Sequence, residues 1–299
     1  MGLNYPEIDP VIFSFYIGTI QFALRWYALS YIAGILVAWK LMQILCKKYS
    51  LWSKNKPPLN PQAVDDLMTY LIVGIILGGR LGYVCFYQPN FFFQNPFEIL
   101  KIWNGGMSFH GGFLGVVLGT VIYAKKNKID LMHLGDLIAI ASPPGLFFGR
   151  IANFINGELW GKATTSPWGM VFPANNAKVC PENWVGACTR HPSQLYEAAL
   201  EGFALWIVLL TFVFIFKSLK RRSEIFCIFL IGYGVSRAII ELYREPDAQF
   251  ITTSNPNGYI IFITESLGFS MGQILCLPMI IVGITLLFVN HFATKKFDK

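Results

Sequence analysis

Long apolar runs, each close to the length that crosses a lipid bilayer, dominate this sequence and restrict the folds open to it. A helix needs about 20 apolar residues to cross the hydrocarbon core. Runs of this size recur at about seven places, namely 24–46, 65–87, 108–124, 132–155, 196–216, 225–244 and 272–291. Within lipid every backbone polar group must be hydrogen-bonded inside the protein, which favours helices. The sequence therefore predicts an all-α integral membrane protein.

The composition supports a membrane location and argues against a nucleic-acid partner. Of 299 residues, 54% are hydrophobic and 14% charged, whereas soluble domains have about 25% charged residues. The net charge is +7, but the basic residues form short groups between the apolar runs. They do not form a basic stripe with interleaved stacking aromatics. We predict that residues 1–299 form a single transmembrane domain that binds membrane lipid and no nucleic acid.

The distribution of basic residues predicts the orientation of the chain. The short loops after the first, third and fifth runs, and the C-terminal end, carry clustered lysines and arginines. By the positive-inside rule these segments are cytoplasmic. The N-terminus is then external and the C-terminus cytoplasmic. Residues 1–23, interrupted by Pro6 and Pro10, predict an interfacial arm.

The segment 157–195 is the longest one between predicted spans, and it lies on the external side. Its tryptophans and prolines predict a small folded cap rather than a linker. Cys180 and Cys188 fall within it, and on an oxidising side of the membrane two close cysteines can form a disulfide. The sequence leaves that pairing open. No Cys/His spacing resembles a metal site, and we expect neither a metal nor a cofactor.

The stretch Gly149–Gly161 holds the densest group of polar side chains beside an apolar run. Arg150 and Asn153 share a helix face at a spacing of three, and Asn156-Gly157 is a natural helix end. An arginine here is costly to leave in lipid, so it should face a partner or a cavity. Guanidinium matches phosphate geometry, which makes a lipid phosphate the expected ligand, with Glu158 nearby. The alternative is a snorkelling arginine followed by an ordinary turn.

His110 lies in the glycine-rich stretch Gly105–Gly112, at the external start of the third run. Flanking glycines expose backbone amides, and a helix N-terminus favours an anion. Histidine exchanges protons near neutral pH, so His110 is a candidate acid or base. The alternative is a histidine bonded to a neighbouring backbone carbonyl.

Other charged or polar residues within the runs also need partners. Arg237 and Glu241 are four apart on one helix face and can form an ion pair, which could be purely structural. Arg80, deep in the second run, needs a partner too. Tyr27 is interpreted as an interfacial aromatic residue, and the alternative is a hydroxyl hydrogen-bond donor. Pro192 and Glu197 suit a helix N-terminus.

The predicted orientation brings residues from three spans toward the external leaflet, which favours one shared site. These residues are His110, Arg150, Asn153, Glu158, Arg237 and Glu241.

Glycines recur at every fourth position in the second and third runs. They are Gly74, Gly78 and Gly82, and then Gly111, Gly115 and Gly119. Small residues at this spacing let helices approach closely, so the two runs are predicted to pack against each other.

In several blocks, the sequence resembles the bacterial prolipoprotein diacylglyceryl transferases. Gly149–Gly161 is close to that family's signature. Further similar blocks are Gly105–Gly112, His191–Glu197, Gly232–Glu241 and Pro246–Phe250. With the arm before Trp26-Tyr27, the resemblance extends over nearly the whole chain. It departs at Ala152, where the family often has glycine, and in the cap at 162–190.

The resemblance implies transfer of the diacylglyceryl group of phosphatidylglycerol to the lipobox cysteine thiol of a preprolipoprotein, with release of glycerol phosphate. It implies a bacterial inner-membrane enzyme whose site faces the periplasmic leaflet. The catalytic residues that it implies are His110, Arg150, Arg237, Glu158 and Glu241. The substrate-binding residues that it implies are Arg150, Asn153, Tyr27, Tyr233, Gly105 and Gly161.

The chemistry of this transfer fits the residues. The nucleophile is the substrate's thiolate, so the enzyme needs no cysteine of its own. His110 is expected to remove the thiol proton while Arg150 and Arg237 hold the phosphate. Alternatively, an arginine's field lowers the pKa of the thiol, and the sequence leaves the base open. A second class, a transporter or channel for a phosphate-bearing anion, is disfavoured by the lack of an inverted repeat.

Overall fold

The structure is a computed structural model of the chain and describes residues 2–18, 20–181, 184–246, 250–252, 255–264 and 267–297. Residues 247–249 of the Pro246–Phe250 block lie outside these ranges. The chain divides into two compact units. Unit 1 comprises Met1–Ala38, Ala139–Ser218 and Glu224–Lys299, and unit 2 comprises Trp39–Ile138 and Leu219–Ser223.

Helices make up most of the described chain, as predicted. They are α1 (Trp26–Lys47), α2 (Ala63–Phe86), α3 (Pro89–Gln94), α4 (Phe109–Asn127), α5 (Leu131–Ala141), α6 (Pro143–Ile155), α7 (Ser193–Glu197), α8 (Leu205–Phe214), α9 (Glu224–Ile240) and α10 (Met271–Phe297). Between α7 and α8 the chain forms a π-helical segment, Ala198–Ala204. The side chain of Ser108 caps α4 by accepting a hydrogen bond from the Gly111 amide.

Short strands accompany the helices. They are β1 (Leu3–Asn4), β2 (Val11–Ile17), β3 (Ile20–Arg25), β4 (Met170–Val171), β5 (Tyr259–Phe262) and β6 (Gly268–Ser270). β2 and β3 form an antiparallel hairpin in which Phe15 lies opposite Phe22. β5 and β6 form a second hairpin, and β1 pairs in parallel with β4. The predicted arm at 1–23 thus contains most of one β-hairpin.

Within the residues that the structure describes, five helical stretches are long and apolar enough to cross a membrane. They are Trp26–Lys47, Ala63–Phe86, Leu131–Ile155, Ser193–Phe214 and Met271–Asn290. The predicted spans 108–124 and 225–244 are also helical, as α4 and α9, but do not meet the same criterion. Glycines and terminal lysines dilute the apolar character of α4, and α9 has only 17 residues. The third stretch is interrupted at Ser142, where Pro143 begins α6.

In unit 2, α2 and α4 pack through their glycines, which confirms the predicted contact between the second and third runs. A Cβ atom at Gly78 would meet the Gly111 carbonyl oxygen, and one at Gly115 would meet the Gly74 carbonyl oxygen. Side chains larger than hydrogen would push the backbones apart at these crossings.

We expect Gly115→Ala to destabilise the protein by about 1–3 kcal/mol, because the added methyl group overlaps backbone atoms that have no freedom to withdraw. The matched control is Gly112→Ala, one turn away on α4, where the nearest heavy atom to an added Cβ is the Ile75 carbonyl oxygen at 3.7 Å. Thermal unfolding in detergent compares the two variants. Equal unfolding temperatures for the two variants would show that α2 and α4 can move apart without a loss of stability.

The partners of Arg80, which the sequence leaves open, are backbone carbonyl oxygens of unit 2. Its side chain is buried, and its three nitrogens donate to carbonyl oxygens of the loop before α4, those of Glu98, Ile99, Lys101, Gly105 and Gly106. Its guanidinium also lies over the Phe92 ring. Arg80 therefore holds together a segment that contains two short 3₁₀ helices, Pro96–Leu100 and Ile102–Asn104.

Candidate functional site

Arg150 projects from α6 toward a buried carboxylate, that of Glu197. Its Nε atom lies 2.8 Å from Glu197 Oε2, and 19% of its side chain is exposed. After Ile155 the helix ends through Gly157, whose φ of 64° is the left-handed value predicted for this stop. The ion pair with Glu197 argues against a snorkelling anchor.

Glu197 is the centre of the charged cluster in unit 1. It is fully buried at the end of α7. Besides Arg150, it accepts a hydrogen bond from Arg237 Nη1 on Oε2 and one from Arg244 Nη1 on Oε1, both at 3.2 Å. A buried charge is tolerated when well-placed opposite charges surround it, so this carboxylate fixes three guanidiniums around one point.

Arg237 and Glu241 form the predicted ion pair, with Nη2 and Oε2 3.0 Å apart. Glu241 lies one residue beyond the end of α9, where the chain turns and brings Arg244 Nε to 3.5 Å from the same oxygen. Glu201, in the π-helical segment, lies 3.7 Å from both Arg150 Nη2 and Arg237 Nη1. Arginines and glutamates therefore alternate through the cluster.

Asn153 and Glu158 organise the turn that follows α6. Asn153 Nδ2 donates to Glu158 Oε1 at 2.8 Å, and the Glu158 amide donates to the Asn153 carbonyl oxygen. Gln194 on α7 donates to the Glu158 carbonyl oxygen, and Ser193 Oγ donates to that of Leu159. These bonds link the end of α6 to the helix that carries Glu197.

Two predicted tyrosines, together with Tyr31, also lie in unit 1. Tyr27, half-buried near the start of α1, accepts a long hydrogen bond of 3.4 Å from the Tyr31 hydroxyl. Tyr31 in turn interacts electrostatically with Arg150 and Glu158. Tyr233 on α9 stacks against Phe229 and interacts electrostatically with Arg150 and Arg237.

Gly161 serves backbone packing. Its amide donates to the His191 carbonyl oxygen at 2.8 Å, and it forms a β-bridge with Arg244. A Cβ atom at this position would meet the Tyr243 carbonyl oxygen. Glycine is needed here because the segment leading to Arg244 approaches so closely.

His110 and Gly105 belong to unit 2. His110 is exposed in the first turn of α4, edge-on to Phe109, and its ring makes no hydrogen bond with any residue that the structure describes. The alternative of a histidine bonded to a carbonyl therefore gains no support. Gly105, at φ 80°, accepts a hydrogen bond from Arg80. The placement of these two residues in a shared site with Arg150 stays a prediction.

The predicted cap is folded, and Cys180 and Cys188 form a disulfide, the pairing that the sequence left open. Next to it, buried Arg190 donates to the carbonyl oxygens of Ala177 and Val179 and pairs with Glu245 at 2.9 Å. Burial lowers the pKa of the nearby His191 imidazole.

Sequence reasoning missed three members of the cluster. The sequence pattern indicates only a helix start for Glu197, and it indicates no role for Glu201 or Arg244. The signal that could have found the two glutamates is their occurrence, four residues apart, inside a span that is otherwise apolar. The part of the chain that the structure describes contains no group of three or more His, Cys, Asp or Glu residues that could hold a metal ion.

Known proteins are similar in sequence to this chain over almost its full length. The family model described as prolipoprotein diacylglyceryl transferase matches residues 10–289. A relative from Ruegeria pomeroyi is 50% identical, covering 94% of this chain and 95% of its own. Relatives from Cereibacter sphaeroides (49% identical, 95% and 97% covered) and Rhizobium meliloti (46%, 94% and 92%) are similar. All three relatives are named phosphatidylglycerol–prolipoprotein diacylglyceryl transferase. The chain therefore belongs to the prolipoprotein diacylglyceryl transferase family.

Proposed function

We propose that this protein transfers the diacylglyceryl group of phosphatidylglycerol to the lipobox cysteine thiol of preprolipoproteins, the first step of lipoprotein maturation. The cysteine sulfur forms a bond to the terminal glyceryl carbon, and the bond from that carbon to the phosphate oxygen breaks. Glycerol phosphate leaves, and the thiol proton passes to the base or to the departing phosphate. The observation that carries the proposal is the convergence of three arginines on buried Glu197.

The arginine cluster suits an anionic phosphodiester. Arg150 and Arg237 keep 19% and 15% of their side chains exposed, so their outer edges are open to a ligand. Each is held by carboxylates on one side, and a guanidinium offers its remaining donors in a fixed fork that matches phosphate oxygens. Preorganised donors of this kind stabilise the charge that develops on the leaving phosphate.

The remaining roles follow from chemistry and position. Asn153 and Glu158 orient the cationic groups, and Tyr27, Tyr233, Gly105 and Gly161 shape the substrate site. His110 removes the thiol proton. An arginine's positive field is the alternative means of favouring the thiolate, since a nearby cation lowers a thiol pKa.

In the membrane, we infer about seven spans, with α4 and α9 crossing beside the five longer helical stretches. The N-terminus and the cap are periplasmic, and the C-terminus is cytoplasmic, in the bacterial inner membrane. The disulfide between Cys180 and Cys188 supports a cap on the oxidising side. The hairpin of β2 and β3 exposes Phe13 and Phe15, which supports an arm lying at the interface.

Incubation of the purified protein with phosphatidylglycerol and a lipobox peptide tests the proposal. We expect mass spectrometry of the peptide to show the added diacylglyceryl mass on cysteine. A peptide with serine in place of that cysteine is the control and should stay unmodified, because an alcohol is a much weaker nucleophile than a thiolate. Uptake of a phosphate-bearing anion into proteoliposomes without peptide modification would instead support a transporter.

We expect His110→Asn to lower turnover by about 10²- to 10⁴-fold, because the variant has no group that takes a proton near neutral pH. His133→Asn is the control, since His133 lies against Asp130 and Trp52 and has no assigned role. Initial rates over a range of pH values measure the effect. Unchanged turnover would remove His110 from the mechanism and leave the arginine field as the source of the thiolate.

A further inference from the structure

Glu201 differs from the other two carboxylates of the cluster in how it is held. It is fully buried, yet neither of its oxygens accepts a hydrogen bond from any residue in the described part of the chain. Its nearest guanidinium nitrogens are 3.7 Å away. Glu197 has contacts of 2.8 and 3.2 Å. Glu241 Oε2 also accepts no hydrogen bond from the described residues, but it lies 3.0 Å from Arg237 Nη2, much closer than either guanidinium contact of Glu201. Glu201 is therefore the least stabilised negative charge in the cluster.

The position of Glu201 is fixed by the fold. The π-helical segment Ala198–Ala204 packs against α6, and a Cβ atom at Gly202 would lie only 2.7 Å from Phe147 Cβ. This close contact keeps Glu201 beside Arg150. Single π turns inside longer helices are frequent at functional sites, where they change which side chains face a ligand.

The charges around Glu201 balance without a ligand. Three arginines, Arg150, Arg237 and Arg244, face three glutamates, Glu197, Glu201 and Glu241. Tyr233 from α9 and Cys276 from α10 also interact electrostatically with Glu201.

A phosphodiester that enters this cluster brings one further negative charge among largely buried side chains. An uncompensated buried charge is strongly unfavourable, and the usual remedy in proteins is for a group to change its protonation state. Neutralising one carboxylate restores the balance of charge around the bound phosphate. Glu197 and Glu241 would lose short ion pairs by accepting a proton, whereas Glu201 would lose only its longer contacts.

We propose that Glu201 takes up one proton from solvent when an anionic phosphodiester headgroup binds to Arg150 and Arg237. This inference rests on the proposed function and adds to it a coupling between headgroup binding and proton uptake. Glu201 is a positioning residue, which sets the charge of the site without contacting the reacting atoms. Because binding takes up a proton, low pH favours it, and affinity falls as pH rises.

Calorimetric titration of the whole protein in detergent with a short-chain phosphatidylglycerol tests the proposal. Titrations in buffers with different ionisation heats give the number of protons taken up. At pH values at which Glu201 is ionised in the free protein, the wild type is expected to take up close to one proton on binding. Its affinity is expected to fall there by up to about tenfold per pH unit. Glu201→Gln is expected to bind with no uptake and with little dependence on pH.

Matched variants separate this effect from general damage. Glu245→Gln removes a carboxylate that pairs with Arg190 outside the cluster, and should keep the wild-type proton uptake. Glu201→Asp retains a carboxylate but holds it one methylene further from the arginines, so uptake should persist over a displaced range of pH. Where Glu201→Gln does not fold, an unchanged pH dependence of uptake in Glu201→Asp would assign the proton to another group and overturn the proposal.

Three further outcomes would overturn the proposal. One is wild-type binding without proton uptake, and another is full uptake by Glu201→Gln. The third is that phosphatidylglycerol does not bind the wild type, or binds it no more tightly than it binds Arg150→Lys, which would also remove the proposed function. Peptide modification that proceeds normally together with proton-free binding would reject the role of Glu201 alone.

Discussion

The Arg150→Lys variant is expected to lose about 10²- to 10³-fold in diacylglyceryl transfer, the range seen when one preorganised donor to a developing anion is removed. Arg150 uses Nε for Glu197, and its Nη2 has only a longer contact of 3.7 Å with Glu201, so its terminal nitrogens can donate to a phosphate. Lysine presents one point charge on a flexible stem and has no paired donors for both contacts. Initial rates at varied phosphatidylglycerol concentrations separate weaker binding from slower transfer.

Arg237→Lys is expected to behave in the same way, because Arg237 also bridges two carboxylates, Glu197 and Glu241. The control is Arg222→Lys, a surface position paired with Asp130 in unit 2, where activity should be retained. The fold of each variant is checked by its unfolding temperature. Full transfer activity in both Arg150→Lys and Arg237→Lys would mean that only the positive charge matters and that paired donors are not used.

The Glu197→Gln variant is expected to lose about 3–5 kcal/mol of stability, since removing one partner of a buried ion pair leaves the other charges without compensation. Among the described residues, Glu197 is the carboxylate that forms ion pairs with Arg150, Arg237 and Arg244 together. Unlike Glu201, it anchors the guanidiniums directly. Chemical unfolding in detergent, followed by tryptophan fluorescence, measures the change.

The matched control for this loss is Glu98→Gln. Glu98 pairs with Lys101 in a position where both side chains are partly exposed. Exposed pairs contribute about 0–1 kcal/mol, so this variant should unfold almost as the wild type does. A Glu197→Gln protein as stable as the Glu98→Gln protein would show that the arginines are compensated by other groups. That result would remove Glu197 from the centre of the site.

Local patterns predicted much of the architecture. The apolar runs correspond to helices, and the glycine spacing of Gly74 and Gly115 predicted the packing of α2 on α4. The break at Asn156-Gly157 and the pair Arg237–Glu241 also follow from short-range rules. The hairpin of β2 and β3 was not predicted, because an apolar segment with prolines suits several interfacial conformations.

The composition of the charged cluster was much harder to predict. Arg150 and Arg237 were identified as residues in need of partners, but Glu197 lies 47 residues from Arg150 in the chain. Which carboxylate meets which guanidinium depends on the packing of α6, α7 and α9, and no local spacing encodes it. Arg244 follows α9 in an irregular turn, and its ion pair with Glu197 likewise depends on how these helices pack.

The sequence by itself determined that the chain forms apolar helices for a membrane and that arginines within them require partners. Its blocks also pointed to the family. The cost of exposing backbone and charge to lipid explains both physical results, since it acts on each segment separately. Only the tertiary structure decided that one buried glutamate joins three arginines and that Glu201 is left without a hydrogen bond. Those facts depend on distances between helices, which arise when the segments pack together.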